Sequence, residues 1–325
     1  MIMLYRADGS ARPLAAAEPI DVCPDDIVWI DLHCPTRDEE TLVERVLGIA
    51  VPTRDEMKDI EPSSRLYSDN GAIYMTASVV WRAESEQPEL VDVGFVLAKD
   101  RLVTVRYAEP KSISLFVGAF SRCVDGRWSG VKVLSRLLET ISDRSAEILE
   151  MAERKVDGIS RQVFTADARG GQRGRAFPQA ILFNIGEEQR LVAKTRDSLA
   201  SLYRLLTFFY ALPVLQADQD MRELCRTITR DVQSLSEHAN FVSGNITFLL
   251  DASLGFINLE QNAIIKIFSI ASVVFLPPTL AASIYGMNFK IMPELEWTFG
   301  YPFALCVMVV SAVVPFFFFR WKGWL

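Results

Sequence analysis

The chain has 325 residues, a formal net charge of −7 and a composition in which half of the residues are hydrophobic. This acidity argues against nucleic acid as a partner, because proteins that bind nucleic acid carry basic surfaces. The five cysteines are scattered without a CxxC pair and there are only two histidines, which argues against a zinc site built from Cys and His. We interpret the cysteines as reduced packing residues.

Strand and helix signals alternate through the first third of the chain. Ile27 to Leu32 is a short β-rich run, and residues 37–49 carry apolar side chains at helical spacing. Residues 72–81 are rich in β-branched and aromatic side chains, and the runs 91–97 and 102–107 flank a polar turn, which predicts a hairpin. This part is predicted to be an α/β domain with a largely antiparallel sheet. The chain begins without an apolar core of signal-peptide length, so we expect this domain to stay in the cytoplasm.

Long helical patterns follow. Residues 131–163 and 177–210 have apolar positions at helical spacing, and the basic segment ARGGQRGR lies between them. We interpret this segment as an exposed turn; the alternative, a phosphate-binding loop, lacks the required strand-to-helix context. A third pattern begins near Asp218 and contains no proline until Pro277. It predicts a helix that starts in the cytosol and continues into a membrane.

Two stretches near the end of the chain, 267–285 and 301–319, contain no Lys, Arg, Asp or Glu. Each is long enough for an α-helix to cross a hydrocarbon core of about 30 Å. A single run of this kind is also compatible with a buried helix of a soluble protein, but two runs joined by a short loop favour transmembrane helices. Because Arg320 and Lys322 follow the second run directly, the positive-inside rule predicts that both termini are cytoplasmic and that loop 286–300 is external.

A stripe of mostly small or polar residues follows one edge of the third helical pattern. Its members are separated by alternating steps of four and three residues, which is a heptad-type spacing. The stripe consists of Asp251, Gly255, Asn258, Asn262, Ile265, Ser269, Ser272, Leu276, Thr279 and Ser283.

This stripe has two interpretations that do not exclude each other. Small residues let membrane helices approach closely, so it can be a packing seam. It can also face a water-filled axis shared by several copies, and Asp251 and Asn262 favour this pore, because polar groups at membrane depth usually line cavities. Ile265 and Leu276 would then be hydrophobic constrictions. Two helices cannot enclose a conduction path, so the pore hypothesis requires a cyclic homo-oligomer.

The sequence resembles a known family at the exit of the first apolar run. Tyr285-Gly286-Met287-Asn288-Phe289 contains the GMN signature of the CorA magnesium transporters, and the following Met-Pro-Glu-Leu resembles the MPEL segment of that family. The likeness extends over residues 255–262, 264–269 and 274–279, and it runs on through residues 299–302 to the terminal Trp324-Leu325. A looser likeness to the enterobacterial-type branch is found at residues 28–32 and 54–61.

The resemblance implies a membrane protein of the cell (inner) membrane that assembles as a homopentamer and carries hydrated Mg²⁺, and also Co²⁺ and Ni²⁺, without an organic cofactor. It implies a funnel-shaped cytosolic α/β/α domain, a long stalk helix that continues as the pore-lining span, and a second span around it. The outer mouth would be formed by Gly286, Met287 and Asn288. The pore-lining positions of the family fall on members of the stripe, namely Asp251, Asn262, Leu276 and Thr279.

The periodicity and the resemblance together predict seven divisions. In chain order they are the cytosolic α/β domain (1–125), the helical part of the same domain (126–217), the stalk helix (218–266), the first transmembrane helix (267–285), the external GMN loop (286–300), the second transmembrane helix (301–319) and a basic cytosolic tail (320–325).

The chemistry of Mg²⁺ agrees with this prediction. Mg²⁺ gives up its water reluctantly and prefers oxygen ligands, and Asn carbonyls can hydrogen-bond its water shell without removing it. In the loop, Glu294 and Glu296 can raise the local cation concentration, although both also fit an ordinary solvated loop. The resemblance also implies gating by cytosolic Mg²⁺, for which our candidate ligand is Asp231, with a surface salt bridge as its alternative role.

Other functions explain less of the sequence. A membrane-tethered enzyme would need a nucleophile–base pair, a metal cluster or a phosphate loop in residues 1–240, and we find none. A two-span mechanosensitive channel does not explain the GMN loop. The remaining alternative is a transporter of zinc or another divalent cation from the same superfamily.

Overall fold

A computed structural model gives the structure of residues 1–14, 23–59, 61–122, 128–168, 179–288, 290, 292–293 and 297–323. These residues divide into two compact units. The first unit comprises the described residues up to Leu250, and the second comprises those from Asp251 onward.

Seven strands of the first unit form one sheet in the order β2-β1-β3-β7-β6-β5-β4. Within this sheet β3 and β7 pair in parallel and the other neighbours pair antiparallel, which confirms the predicted largely antiparallel sheet. The strands are β1 (Ile2–Arg6), β2 (Ala11–Leu14), β3 (Ile27–His33), β4 (Leu66–Asp69), β5 (Ala72–Trp81), β6 (Glu89–Ala98) and β7 (Arg101–Arg106).

Helices follow and interrupt this sheet. A short 3₁₀ turn at Glu56–Lys58 lies before the second of them. The α-helices among the described residues are α1 (Arg37–Leu47), α2 (Pro62–Arg65), α3 (Lys111–Phe120), α4 (Gly130–Ala168), α5 (Gln179–Tyr210), α6 (Pro213–Gln216), α7 (Gln219–Tyr285) and α8 (Gly300–Trp321).

Local chemistry explains where several elements begin and end. Thr36 and Glu39 form a capping box at the start of α1, with the Glu39 carboxylate 2.9 Å from the Thr36 backbone nitrogen. The helix ends at Gly48, which adopts the left-handed conformation (φ 68°) that glycine tolerates best. The turn between β4 and β5 is Asn70-Gly71, and both residues have positive φ as a tight hairpin requires.

A buried ion pair joins the parallel strands β3 and β7. The Arg106 guanidinium donates to both oxygens of Asp31, from Nε at 3.1–3.2 Å and from Nη2 at 2.9 Å. The Thr104 hydroxyl also donates to Asp31 (2.7 Å) and accepts from the Trp29 indole (2.9 Å). The side chains of Asp31 and Arg106 are 1% and 8% exposed. This network fixes the centre of the sheet and stacks Trp29 against Tyr5 at 4.0 Å.

Two serines of α5 attach that helix to the sheet. β4 pairs with β5 only as far as Met75, so the backbone of Ser78 is not paired with β4. The Ser198 hydroxyl donates to the Ser78 carbonyl (2.8 Å), and the Ser78 amide donates to the Ser201 hydroxyl (3.1 Å). These bonds satisfy polar backbone groups that would otherwise be buried without partners.

Helix α7 is 67 residues long and continues through Pro277 and Pro278 to Tyr285. This confirms the prediction of one helix that extends into the first apolar run. Within the first unit α7 buries one side, at positions separated by steps of three, four or seven residues, which is a heptad-type pattern. The buried residues on that side are Met221, Cys225, Ile228, Val232, Ala239, Val242, Ile246 and Leu249.

Two helices, α7 and α8, are long and apolar enough to cross a membrane. In the most apolar 18-residue window of each, only 6% of the residues are buried. A core helix of a soluble protein would be mostly buried, so this exposure favours the membrane interpretation. The predicted two apolar helices are confirmed.

Candidate functional site

The polar stripe lies on the open side of α7 in the second unit. All ten of its members, from Asp251 to Ser283, are exposed in the single chain. The two large apolar members, Ile265 and Leu276, are 61% and 65% exposed. The structure therefore places the stripe on a continuous edge that no described part of the same chain covers.

The opposite side of α7 is the covered one. Because successive residues of an α-helix are about 100° apart, positions three and four apart share a face. The positions of lower exposure in the apolar run are Ile270, Ala271, Val274, Pro277, Pro278, Ala281 and Tyr285. They face away from the stripe, so the second unit covers one side of the helix and leaves the polar side free for another molecule or for water.

Two hydroxyl groups of the stripe are oriented by the helix itself. The Ser272 hydroxyl donates to the Phe268 carbonyl (2.9 Å), and the Thr279 hydroxyl donates to the Phe275 carbonyl (2.7 Å). Each hydroxyl has thereby used its only hydrogen, and its oxygen remains an acceptor. A hydrated cation presents the hydrogens of its water ligands outward, so acceptors are the groups that such an ion requires from a wall.

The stripe ends at the signature tripeptide. Helix α7 stops at Tyr285, and the amide nitrogens of Gly286 and Met287 donate back to the carbonyls of Ala282 (3.0 Å) and Ile284 (3.3 Å). Asn288 follows with an exposed side chain. The tripeptide predicted to form the outer mouth is thus the direct continuation of the helix that carries the stripe. Glu294 and Glu296, the predicted source of mouth electrostatics, lie outside the described residues.

Comparison with known proteins assigns this arrangement to a family. A family model described as "CorA-like Mg2+ transporter protein" matches residues 24–321. The chain belongs to this family. It is a family of transporters rather than of enzymes.

Curated relatives agree with the family model over most of the chain. The chain is 36% identical over 300 residues to the magnesium transport protein CorA of Pasteurella multocida, a match that covers 92% of each chain. It is 37% identical over 300 residues to the magnesium transport protein CorA of Escherichia coli, again with 92% of each chain covered. These matches confirm the resemblance to enterobacterial CorA proteins.

Solved structures share the fold at low sequence identity. The complete CorA magnesium transporter from Methanocaldococcus jannaschii has a TM-score of 0.77 at 19% identity and covers 100% of this chain and 98% of its own. The full-length CmaX protein has a TM-score of 0.70 at 15% identity, with 98% and 96% covered. The cytoplasmic domain of ZntB from Vibrio parahaemolyticus has a TM-score of 0.58 at 11% identity, with 81% and 98% covered.

A group of acids in the first unit of this CorA-family chain surrounds the predicted regulatory residue. Burial raises the pKa of Asp143 on α4, and the nearby carboxylates of Glu139, Asp231 and Glu147 raise it further. Glu139 and Glu147 are each paired with an arginine of the same helix, at 2.8 and 2.6 Å. Asp231 is exposed and forms no ion pair with a described residue.

The sequence analysis proposed Asp231 but named none of its acidic neighbours on α4. The signal in the sequence was Glu139, Asp143 and Glu147 at steps of four, which places them on one helix face. Their approach to α7 is a long-range contact that spacing cannot show. Among the described residues, no three His, Cys, Asp or Glu side chains are arranged to hold a metal ion.

Proposed function

We propose that this chain transports Mg²⁺ across a membrane as a homo-oligomeric channel in which the polar stripe of α7 lines the ion path. The observation that carries the proposal is the uncovered stripe of ten residues that leads directly to Gly286-Met287-Asn288. The curated relatives, which match this chain over nearly its whole length, are named magnesium transport proteins. Their name supports the choice of ion.

The geometry of one chain and the family resemblance both support an oligomer. One α7 and one α8 cannot surround water, so several copies must turn the same stripe toward a common axis, and cyclic symmetry achieves this. The resemblance to CorA favours five copies and a funnel-shaped cytosolic assembly. In this arrangement α8 contacts lipid, in agreement with its apolar and exposed side chains. The seven sequence divisions given above are part of this proposal.

The orientation follows from charge. Arg320 and Lys322 are exposed at the end of α8, so we place this end and the first unit in the cytoplasm and the GMN loop outside. In a bacterial cell this is the inner membrane. Glu294 and Glu296 would then concentrate cations at the external mouth.

The path fits a hydrated ion better than a bare one. The predicted lining offers amide and hydroxyl oxygens, together with the carboxylate of Asp251, and no thiol or imidazole. Mg²⁺, Co²⁺ and Ni²⁺ can pass as hydrated ions, whereas a site for bare Zn²⁺ would need softer ligands. Transport of zinc or another divalent cation, the alternative that the sequence left open, is the second candidate.

Ion uptake into liposomes tests the proposal. We expect the purified full chain to admit Mg²⁺ at a rate that saturates with concentration and exceeds its rate for Zn²⁺, measured with a fluorescent indicator inside the vesicles. Empty liposomes are the control, and light scattering gives the number of copies per particle. Faster Zn²⁺ than Mg²⁺ uptake would favour the second candidate, and uptake equal to that of empty liposomes would contradict both.

We further propose that Mg²⁺ binds near Asp231 and Asp143 and thereby regulates conduction. Because the pKa of Asp143 is raised in the folded state, the folded chain loses stability as the pH rises above 3.8, the pKa of an unfolded aspartate. The Asp143 carboxylate then becomes charged beside other carboxylates. A bound divalent cation would remove this repulsion. Since no three His, Cys, Asp or Glu side chains converge among the described residues of one chain, the remaining ligands would be water or a neighbouring copy.

The expected result is a pH-dependent stabilisation by Mg²⁺. At neutral pH a saturating concentration should raise the melting temperature of the full chain in detergent by about 2–4 °C. The increase should be smaller at pH 4 and in Asp231→Asn and Asp143→Asn. Asp157→Asn, which removes another exposed acid of α4, is the matched control and should behave like wild type. Equal shifts in all four proteins would rule out this site.

A further inference from the structure

The exposed edge of α7 extends beyond the predicted pore lining. Continuing backward from Asp251 with the same alternating steps of three and four residues gives further positions, and every one of them is exposed. They are Phe248, Gly244, Phe241, Glu237, Ser234, Arg230, Thr227, Glu223 and Asp220.

The buried side of the helix has the same period. In the first unit the residues from Met221 to Leu249 that α7 buries repeat at heptad-type spacing, with Leu235 half-buried at the expected position. The covered and uncovered faces of α7 in the first unit thus both follow a 3.5-residue period, which keeps residues on one face of a supercoiled helix. The exposed positions from Asp220 to Phe248 thereby continue, in the sequence, the spacing of the polar stripe.

Two phenylalanines interrupt the polar character of this edge. Phe241 and Phe248 are one heptad apart, and each side chain is 60% exposed. Gly244 lies between them, with no other atom within 4 Å of where its Cβ would be. The ring of Phe248 stacks on Phe164 of α4 at 6.2 Å and still remains mostly exposed. The described part of the chain thus leaves two large apolar side chains uncovered on the edge that leads into the proposed pore.

We propose that Phe241 and Phe248 of neighbouring copies meet around the common axis and form two hydrophobic rings on the cytosolic side of Asp251. This inference rests on the proposed function, since it uses the same axis and the same oligomer. The occupant of the exposed aromatic surface is the equivalent surface of another copy of this chain. The favourable burial of apolar area explains why aromatic residues stand at these two positions of an otherwise polar edge.

Such rings would act as a further constriction, in addition to Ile265 and Leu276. A narrow apolar section of a pore loses its water readily, and a hydrated ion cannot pass a dry section. Phe248 lies 28 residues before Leu276, roughly 42 Å along the helix at the standard rise. The proposed path would therefore have a hydrophobic barrier on the cytosolic side of Asp251 as well as those at Ile265 and Leu276.

Cysteine cross-linking tests the position of the rings. In a full chain carrying Cys34→Ser, Cys123→Ser and Cys306→Ser, the remaining Cys23 and Cys225 are buried. Phe248→Cys is added to this background, and the oligomer in membranes is treated with a bis-maleimide whose reach of about 10 Å matches the spacing of packed helices. Thr247→Cys, exposed but one position off the edge, is the matched control, and Asn262→Cys reports on the polar stripe itself.

We expect covalent dimers from Phe248→Cys and Asn262→Cys, at a yield at least fivefold above that of Thr247→Cys. Dimers from Asn262→Cys without dimers from Phe248→Cys would overturn the rings and leave the proposed pore standing. The absence of dimers from both would overturn the shared axis, and with it the proposed function.

Ion flux tests the role of the rings. At high internal Mg²⁺, where conduction is expected to be low, Phe248→Ala should raise Mg²⁺ influx severalfold. Phe248→Leu, which keeps a large apolar side chain, should remain within about twofold of wild type. Equal influx through wild type, Phe248→Ala and Phe248→Leu would overturn the constriction.

Discussion

Replacement of Asn288 by alanine is expected to lower Mg²⁺ uptake into liposomes by at least about tenfold while the oligomer stays intact. Asn288 follows the end of α7 with an exposed side chain, so it contributes to no core. Its amide oxygen is the acceptor that we assign to the water shell of the incoming ion. One net hydrogen bond contributes about 0.5–1.5 kcal/mol, and the change occurs in every copy of a symmetric mouth. Since 1.4 kcal/mol corresponds to about a factor of ten, the loss of one such hydrogen bond in every copy suffices to lower the rate of uptake tenfold.

The matched control is Asn245→Ala. Asn245 is an exposed asparagine of α7 that lies off the stripe, and its replacement should leave the rate of uptake unchanged. Asn288→Asp preserves an acceptor oxygen at the mouth and should retain more uptake than Asn288→Ala. The measurement is the initial rate of Mg²⁺ entry, with light scattering to verify the oligomer. If Asn288→Ala transports at the wild-type rate, the assignment of this residue to the mouth is wrong.

Regular elements with a clear hydrophobic period could be predicted from the sequence. The predicted hairpin strands 91–97 and 102–107 correspond to β6 (Glu89–Ala98) and β7 (Arg101–Arg106). Both runs alternate or concentrate apolar residues, and a charged turn separates them, so the local signal is strong. The long helix α7 could be predicted because its helical pattern is regular and no proline interrupts it before Pro277.

Elements that depend on distant partners were missed. β1 is held by antiparallel pairing with β3, for example Ile2 with Leu32, and a five-residue strand gives little periodic signal of its own. β4 exposes three of its four residues, so it has no apolar alternation to detect. The parallel pairing of β3 with β7 joins strands more than 70 residues apart in the chain.

In the candidate site, too, features with a local sequence pattern could be predicted and features that depend on distant contacts could not. Spacing alone predicted the stripe on α7, since a helix converts steps of three and four residues into one edge. Spacing could not show that this edge is uncovered, because exposure depends on where Ile270 and its neighbours pack. The acids of α4 near Asp231 were missed for the same reason. The number of copies around the axis is not encoded in any local pattern, and it remains a proposal.

The buried pair Asp31–Arg106 gives the second large expected effect. Asp31→Ala should destabilise the first unit by about 3–5 kcal/mol, because it leaves the Arg106 guanidinium buried without its counter-charge. The Arg106 Nη1 would retain its bond to the Ala108 carbonyl (3.0 Å), but the Nε and Nη2 hydrogens would lose their acceptor. The Thr104 hydroxyl would lose its acceptor as well.

Two comparisons separate this mechanism from a general loss of side-chain volume. Glu89→Ala removes the partner of Arg82 in an exposed pair with side chains 54% and 48% accessible, and should cost less than about 1 kcal/mol. The double variant Asp31→Leu with Arg106→Met replaces both charges by apolar groups. It should recover at least half of the loss, since a buried ion pair contributes little net stability over a well-packed apolar pair.

The measurement is urea unfolding of the full chain in detergent, together with amide hydrogen exchange along β3 and β7. Exchange reports the local free energy of opening, so it assigns the loss to this sheet rather than to the membrane helices. Asp31→Ala should speed exchange on both strands because their parallel pairing is held by the same side chains. If the double variant is as unstable as Asp31→Ala, then the cost comes from lost packing and not from an unpaired buried charge.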